Sequence, residues 1–206
     1  YMPENCNLED VAHIKKFVDI PVVCAGRMSL DVASKAIEEG KIDAMGVARQ
    51  FLVDGKWVSK VLENKLEDIQ PCICCHNACF PLAHYKGVAN DEAFNDVLHM
   101  SRCALNPQTM QGHKFDIKEA KTKKKVAIIG GGIGGMEAAR IATLRGHDVT
   151  IYEKTDVLGG VFIYASNFDF KEKDKELINW YRRQIGKLNI KVIYNHEVKD
   201  INEIDA

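Results

Sequence analysis

Five of the seven cysteines fall between positions 72 and 103, four of them in the run Pro71-Cys72-Ile73-Cys74-Cys75-His76-Asn77-Ala78-Cys79. Cys72, Cys75 and Cys79 can clamp three corners of a cuboidal cluster from one loop, and Cys103, in Cys103-Ala-Leu-Asn-Pro107, can bring the fourth thiolate from a returning segment. A zinc ribbon normally offers two close Cys pairs. No second Cys-x2-Cys stands near Cys103, so the spacing favours a 4Fe–4S cluster over zinc. Cys74 adds a thiol inside the motif. Spacing alone leaves open a register in which it replaces Cys72 or Cys75, although the expected role is that of a bystander. His76 and the nearby histidines are expected as polar neighbours, because four thiolates already complete such a site. Cys6 and Cys24 stand apart and are expected as ordinary buried or surface thiols.

The second chemical signal is a glycine turn. Val126-Ala-Ile-Ile129 reads as a buried strand and runs directly into Gly130-Gly131-Gly132-Ile133-Gly134-Gly135. A helix over Met136 to Arg145 follows, ending at Gly146. Gly130, Gly132 and Gly135 thus form a fingerprint in the strand-turn-helix context that lets backbone approach a pyrophosphate at a helix N-terminus. The next strand, Asp148-Val-Thr-Ile-Tyr-Glu153, ends in an acid placed to bind ribose hydroxyls. These features predict a dinucleotide-binding unit.

A third candidate lies upstream. Leu8 to Val18 carries Val11, Ile14, Phe17 and Val18 at helical spacing, and Ile20 to Ala25 is a short apolar strand ending at Gly26. Ser29 sits where an N-cap precedes a helix over Leu30 to Glu39, Gly40 stops it, and Ile42 to Gly46 is a second strand. Alternating helices and strands predict a parallel sheet. Gly26-Arg27 and Gly46-Val47-Ala48-Arg49 then follow neighbouring strands at their carboxyl ends, where glycines, backbone N–H groups and guanidinium groups can hold a phosphate. On the residues alone, ordinary surface arginines are an equal reading.

Composition agrees with a soluble globular chain: 206 residues, 46% hydrophobic and 28% charged. With 28 basic and 29 acidic residues the net charge is -1, so no general field favours nucleic acid or an anionic membrane. Lys121, Lys123, Lys124 and Lys125 read as a solvated linker. No apolar run has the length of a membrane span and no signal-peptide pattern is present, so a cytoplasmic setting is expected. The odd cysteine number argues against a secreted disulfide framework.

The stretch Pro21-Val-Val-Cys-Ala-Gly-Arg27 with Ala36-Ile-x-x-Gly40-Lys-Ile-Asp43-Ala-Met-Gly46-Val-Ala-Arg49-Gln-Phe-Leu-Val-Asp54 resembles the end of the barrel in the old yellow enzyme-like flavoproteins. The closer similarity is to their iron-sulfur branch, which includes 2,4-dienoyl-CoA reductase, 2-enoate reductase, trimethylamine dehydrogenase and the bile-acid-inducible flavoproteins. The order of barrel end, cysteine loop and nucleotide domain matches from end to end. The resemblance implies an α/β chain in three parts: residues 1–68 as the C-terminal end of a (β/α)8 FMN barrel, 69–120 as a 4Fe–4S region and linker, and 121–206 as the start of a Rossmann-like FAD-binding domain. It assigns Gly26, Arg27, Ala48 and Arg49 to the FMN phosphate. Glu153-Lys154 followed by Leu158-Gly159-Gly160 resembles the FAD domain of two-dinucleotide flavoproteins, which assigns Gly130, Gly132, Gly135, Glu153, Lys154 and Gly160 to FAD. Cys72, Cys75, Cys79 and Cys103 become the cluster ligands. The gap from Cys79 to Cys103 is longer than the family's usual gap, so His84 to His99 is expected to be an inserted loop or short helix.

Because Tyr1 is not an initiator and a full barrel needs about 250 residues, an internal piece of a longer enzyme is expected. The implied activity is an NAD(P)H-dependent oxidoreductase in which electrons pass from FAD through the cluster to FMN and reduce an activated C=C bond of an enone, enoate or enoyl thioester. Two alternatives stand beside it. One is an amine or saturated-substrate dehydrogenase of the same family; the other, of a different class, is a non-catalytic electron-transfer subunit or a zinc-stabilised nucleotide-binding module. Catalytic residues are expected in barrel strands that this stretch lacks. The expected partner is a small unsaturated substrate, without nucleic acid or membrane, and the full-length form is compatible with a homo-oligomer.

Overall fold

A computed structural model describes residues 2–80 and 101–204 of the chain. The expected insertion from His84 to His99 lies outside the described residues. By packing, the chain divides into two compact units, Tyr1–Phe51 and Leu52–Ala206.

In the first unit, helix α1 (Leu8–Lys15) precedes strand β1 (Val23–Cys24), and helix α2 (Leu30–Glu38) precedes strand β2 (Ala44–Met45). The strands pair in parallel, Val23 with Ala44 and Cys24 with Met45. Cys24, Ala36 and Ile42 form the core, with Leu8, Val11 and Met28 packed against it. Helix α1 is shorter than the apolar spacing suggests. Phe17 is exposed, so nothing holds the last turn. Ser29 does occupy the N-cap of α2 in extended conformation, but without a side-chain cap bond. Its hydroxyl instead accepts from Asn5 Nδ2 at 3.3 Å, and its N–H donates to Asn5 Oδ1 at 2.9 Å. Helix α3 (Arg49–Val53) follows β2 and leads into the second unit.

The second unit opens with helix α4 (Trp57–Leu62), a 3-10 turn at Leu66–Asp68 and the cysteine loop. The expected polar connector contains one short helix, α5 (Gly112–Phe115). Strands β3 (Lys125–Ile129), β4 (Asp148–Tyr152) and β5 (Lys191–Ile193) then make a parallel sheet in that order. Helix α6 (Ile133–Leu144) connects β3 to β4, while helices α7 (Phe162–Ala165) and α8 (Glu172–Lys187) lie between β4 and β5. Parallel strands need such crossovers, and the helices bury one face of the sheet.

The core is Met136 and Ala139 from α6, Val149 and Ile151 from β4, and Leu177, Trp180, Tyr181 and Ile185 from α8. Strand β3 departs from the expected buried run. Val126 and Ile128 pack against this core, whereas Ile129 is exposed. Alternation of side chains sends it to the other face.

Candidate functional site

At the end of β3 the chain turns through Gly130 at φ +97°, a backbone shape that a side chain would resist. The N–H of Gly130 still donates to Tyr152 O at 2.8 Å, so the turn begins while strand pairing continues. Helix α6 starts at once, with Gly132 as its N-cap. The expected start at Met136 is thus three residues late. Helix propensity disfavours Gly134 and Gly135, but close packing requires the second of them. A Cβ on Gly135 would lie 1.9 Å from Gly130 O. On Gly132 a Cβ would meet nothing within 4 Å. That contrast leaves an open approach to the helix N-terminus, where backbone N–H groups and the helix dipole attract a pyrophosphate.

Glu153 closes the turn from beneath. Its carboxylate accepts the N–H of Gly131 at 2.7 Å on one oxygen, and the N–H and hydroxyl of Thr155, each at 2.8 Å, on the other. Burial pushes this carboxyl up, but the hydrogen bonds from Thr155 and Gly131, with Lys154 nearby, outweigh it and hold the group below its ordinary value. Glu153 therefore braces the glycine turn and stays ionised, with acceptor capacity left on the oxygen that holds Gly131. The residues after β4 come back to the same place. Gly159 N–H donates to Gly131 O at 2.8 Å, and a Cβ on Gly160 would approach Gly132 Cα to 3.3 Å. Thus Gly130, Gly132, Gly135, Glu153 and Gly160 are brought to one end of the sheet, and Lys154 flanks them. The cradle fits a dinucleotide: one face is closed by backbone and the other is open.

The cysteine loop is in the same unit. Cys74 and His76 adopt φ near +53°, which gives the loop its sharp bends. Cys74 is buried and its Sγ lies 3.7 Å from Cys72 O. The returning segment is fastened beside the loop: Arg102 N–H donates to Ala78 O at 3.4 Å, and Ser101 Oγ donates to Cys79 O at 3.3 Å. Cys75 is exposed, and Cys72, Cys79 and Cys103 are half-buried. Burial pushes the Cys103 thiol up, and the nearness of Cys75 and Cys79 adds to it, against N–H groups of Leu105 and Asn106 that favour the thiolate. Leu105 N–H lies 3.4 Å from Cys103 Sγ. Among the described residues, no three Cys, His, Asp or Glu side chains converge as a single-ion site. The donor set fits a cluster that takes one thiolate at each corner, with metal replacing the thiol protons.

In the first unit, pairing of β1 with β2 sets Gly26-Arg27 and the segment through Ala48-Arg49 at the same ends of adjacent strands. Gly26 has φ +136°, and a Cβ there would lie 2.7 Å from Asn7 Nδ2. Asn7 Nδ2 in turn donates to Ala25 O at 2.8 Å. Arg27 donates to Met2 O. Two guanidinium groups beyond the carboxyl ends of neighbouring parallel strands, Arg27 on a loop and Arg49 at the start of α3, fit a phosphate.

The signal missed in the sequence is Asp54. It is 7% exposed, accepts Lys60 Nζ at 2.5 Å, and takes the N–H of Gln70 at 3.0 Å. Asp54 thereby anchors the entry to the cysteine loop. Its partner 16 residues away leaves no local pattern.

A family model described as pyridine nucleotide-disulphide oxidoreductase matches residues 84–206. Cinnamate reductase of Clostridium sporogenes is 36% identical over 184 residues, 88% of this chain and 26% of that protein. NADH oxidase of Thermoanaerobacter brockii is 35% identical over 181 residues, 87% of this chain and 26% of that protein. Among solved structures, 2-naphthoyl-CoA reductase with 2-naphthoyl-CoA is similar with a TM-score of 0.79 at 34% identity, over 95% of this chain and 28% of that one. Histamine dehydrogenase from a Rhizobium species has a TM-score of 0.80 at 26% identity, over 96% of this chain and 28% of that one. The chain thus spans about a quarter of the length of the curated relatives it matches.

Proposed function

The chain belongs to the pyridine nucleotide-disulphide oxidoreductase family, in the branch of 2,4-dienoyl-CoA reductase and trimethylamine dehydrogenase, and from that premise we propose a reductase of activated C=C bonds. The members compared include reductases of cinnamate and of 2-naphthoyl-CoA. An enoate or enoyl thioester is therefore the substrate class proposed, with NAD(P)H as donor and a cytoplasmic setting. Among the described residues no helix is long and apolar enough to cross a membrane.

The groups that this reading requires supply the redox chemistry when bound: hydride exchange with NAD(P)H at FAD, single-electron passage at a 4Fe–4S cluster, and hydride delivery at FMN. The chain's own residues hold them. Gly132 leaves room for the pyrophosphate, Glu153 and Lys154 stand at the ribose end, and Gly160 lines the turn. Cys72, Cys75, Cys79 and Cys103 are the proposed ligands, with Cys74 outside the set. Gly26, Arg27, Ala48 and Arg49 are the proposed phosphate-binding residues of an FMN site at the end of a (β/α)8 barrel.

The observation that carries the proposal is the seating of the cysteine loop. Ile73 and Leu105 pack against the nucleotide unit's own core, so thiols and dinucleotide cradle belong to one body. A lone nucleotide-binding module has no use for thiols fixed there. A second reading, oxidation of an amine with electrons leaving the chain, is favoured by the likeness to histamine dehydrogenase. Metal and flavin analysis of anaerobically purified full-length protein tests the proposal. About four iron and four sulfide with both flavins per chain are expected; zinc without sulfide would end the redox reading. Turnover of cinnamate-like acids against amines then separates the two directions.

A further inference from the structure

A continuous series of contacts runs from the nucleotide helix to the cysteine loop. On α6, Glu137 grips Arg140 with two hydrogen bonds of 2.8 and 2.9 Å. The Arg140 guanidinium lies 5.4 Å from the centre of the Trp180 ring, within cation–π range. Trp180 is 3% exposed and meets Tyr181 edge-on at 4.9 Å. Its indole N–H donates to Asp68 O at 3.0 Å. The same carbonyl accepts Lys60 Nζ at 2.8 Å, and Lys60 Nζ also pairs with Asp54. Asp54 in turn accepts the N–H of Gln70, two residues before Cys72. Ile73, inside the loop, packs against the core cluster to which Trp180 belongs.

A Trp buried for packing alone needs only some partner for its N–H. Here the partner is the carbonyl that Lys60 also binds, and the ring carries on one face a cation fixed to the helix that starts from the glycine turn. We propose that Trp180 is a positioning residue that sets the cysteine loop, and hence its cluster, relative to the nucleotide cradle. This inference rests on the cluster and FAD reading above. Redox partners held in one body exchange electrons at a rate set by their separation and orientation, so a small shift of the loop alters transfer without removing either group.

Two full-length variants test it: Trp180→Phe, which keeps an aromatic ring and loses the N–H, and Lys60→Met, which frees the same carbonyl from its other side. Trp180→Phe is expected to retain the parent content of iron, sulfide and FAD and the parent melting temperature within a few degrees, whereas Lys60→Met also strips the buried Asp54 of its cation and should melt lower while keeping iron, sulfide and FAD. Transfer from reduced FAD to the cluster, followed by stopped-flow absorbance in a single turnover, should fall by about tenfold in each, the size typical of lost outer-shell support. The reduced cluster should show an altered electron paramagnetic resonance line shape, which a purely structural role would not produce. Because both residues act on Asp68, while Lys60 also reaches the loop through Asp54, the double variant should be slowed by less than the product of the two single effects. Unchanged transfer in Trp180→Phe with full iron overturns the inference, and so do effects that multiply in the double variant. A parent protein without iron and sulfide overturns the underlying cluster reading instead, and the inference with it.

Discussion

Glu153 accepts the backbone N–H of Gly131 at 2.7 Å, so the acid that ends one strand of the sheet holds the glycine turn that ends its neighbour. The carboxylate braces the turn, and in the proposed function it also meets the ribose. Glu153→Gln leaves an amide N–H facing donors and should cost about 1–3 kcal/mol at neutral pH. Because the folded carboxyl sits below its ordinary value, its stabilising effect is present above about pH 4.3. That effect is lost as pH falls further, through the folded value. Urea midpoints of parent and variant should differ most near pH 7 and draw together as pH falls below the ordinary carboxyl range. A gap that stays constant across that range would show that the charge does not brace the turn.

Gly132 and Gly135 should fail in opposite ways. Gly132→Val meets open space at negative φ, so stability should change by only about 1 kcal/mol, the scale of an N-cap substitution. FAD should nevertheless be absent from the purified protein. Gly135→Ala must displace Gly130 O and should lose about 3 kcal/mol, the upper range for overpacking. Thermal melts and flavin spectra of the two variants decide this. Normal FAD content in Gly132→Val would reduce the fingerprint to a packing turn.

Cys75→Ser and Cys74→Ser separate ligand from bystander. Loss of Cys75 should abolish the cluster and stop electron flow from NAD(P)H while FMN remains reducible by dithionite. Loss of Cys74, a buried thiol, should leave iron and sulfide at parent levels. Iron lost from Cys74→Ser would put Cys74 in the ligand set in place of Cys72 or Cys75.

Tyr181 should stay protonated where ordinary phenols ionise. Burial, reinforced by the Glu137 carboxylate, pushes it well above its ordinary value. An unfolded tyrosine ionises near pH 10, so above that pH the unfolded chain sheds a proton that the folded chain keeps, and stability falls. Absorbance at the phenolate band should show the Tyr181 step only as the chain unfolds. Tyr181→Phe should remove that late step.

Local pattern reached the helices and strands because each depends on neighbours in sequence. The stretch Asp148–Tyr152 alternates and pairs as expected. The glycine turn was legible because its geometry demands glycine at fixed spacing. Less was legible where partners are far apart. Asp68 O meets Trp180 across 112 residues, and no periodicity marks a backbone carbonyl as the partner of an indole. Asp54, whose backbone partner Gln70 is 16 residues away, did not stand out either. The start of α6 was obscured for another reason: propensity speaks against Gly134 and Gly135, while the close approach to Gly130 O imposes them.

The seating of Ile73 and Leu105 on the sheet-and-helix core bears on how the protein can be divided. Cutting at the polar connector before β3 removes both side chains, together with the Asp68 carbonyl on which Trp180 closes. The excised nucleotide half then exposes apolar surface that water never reached, and it invites self-association. A piece meant to be soluble and faithful to its parent should begin upstream of Asp54, with the cysteines carried along even when iron is of no interest.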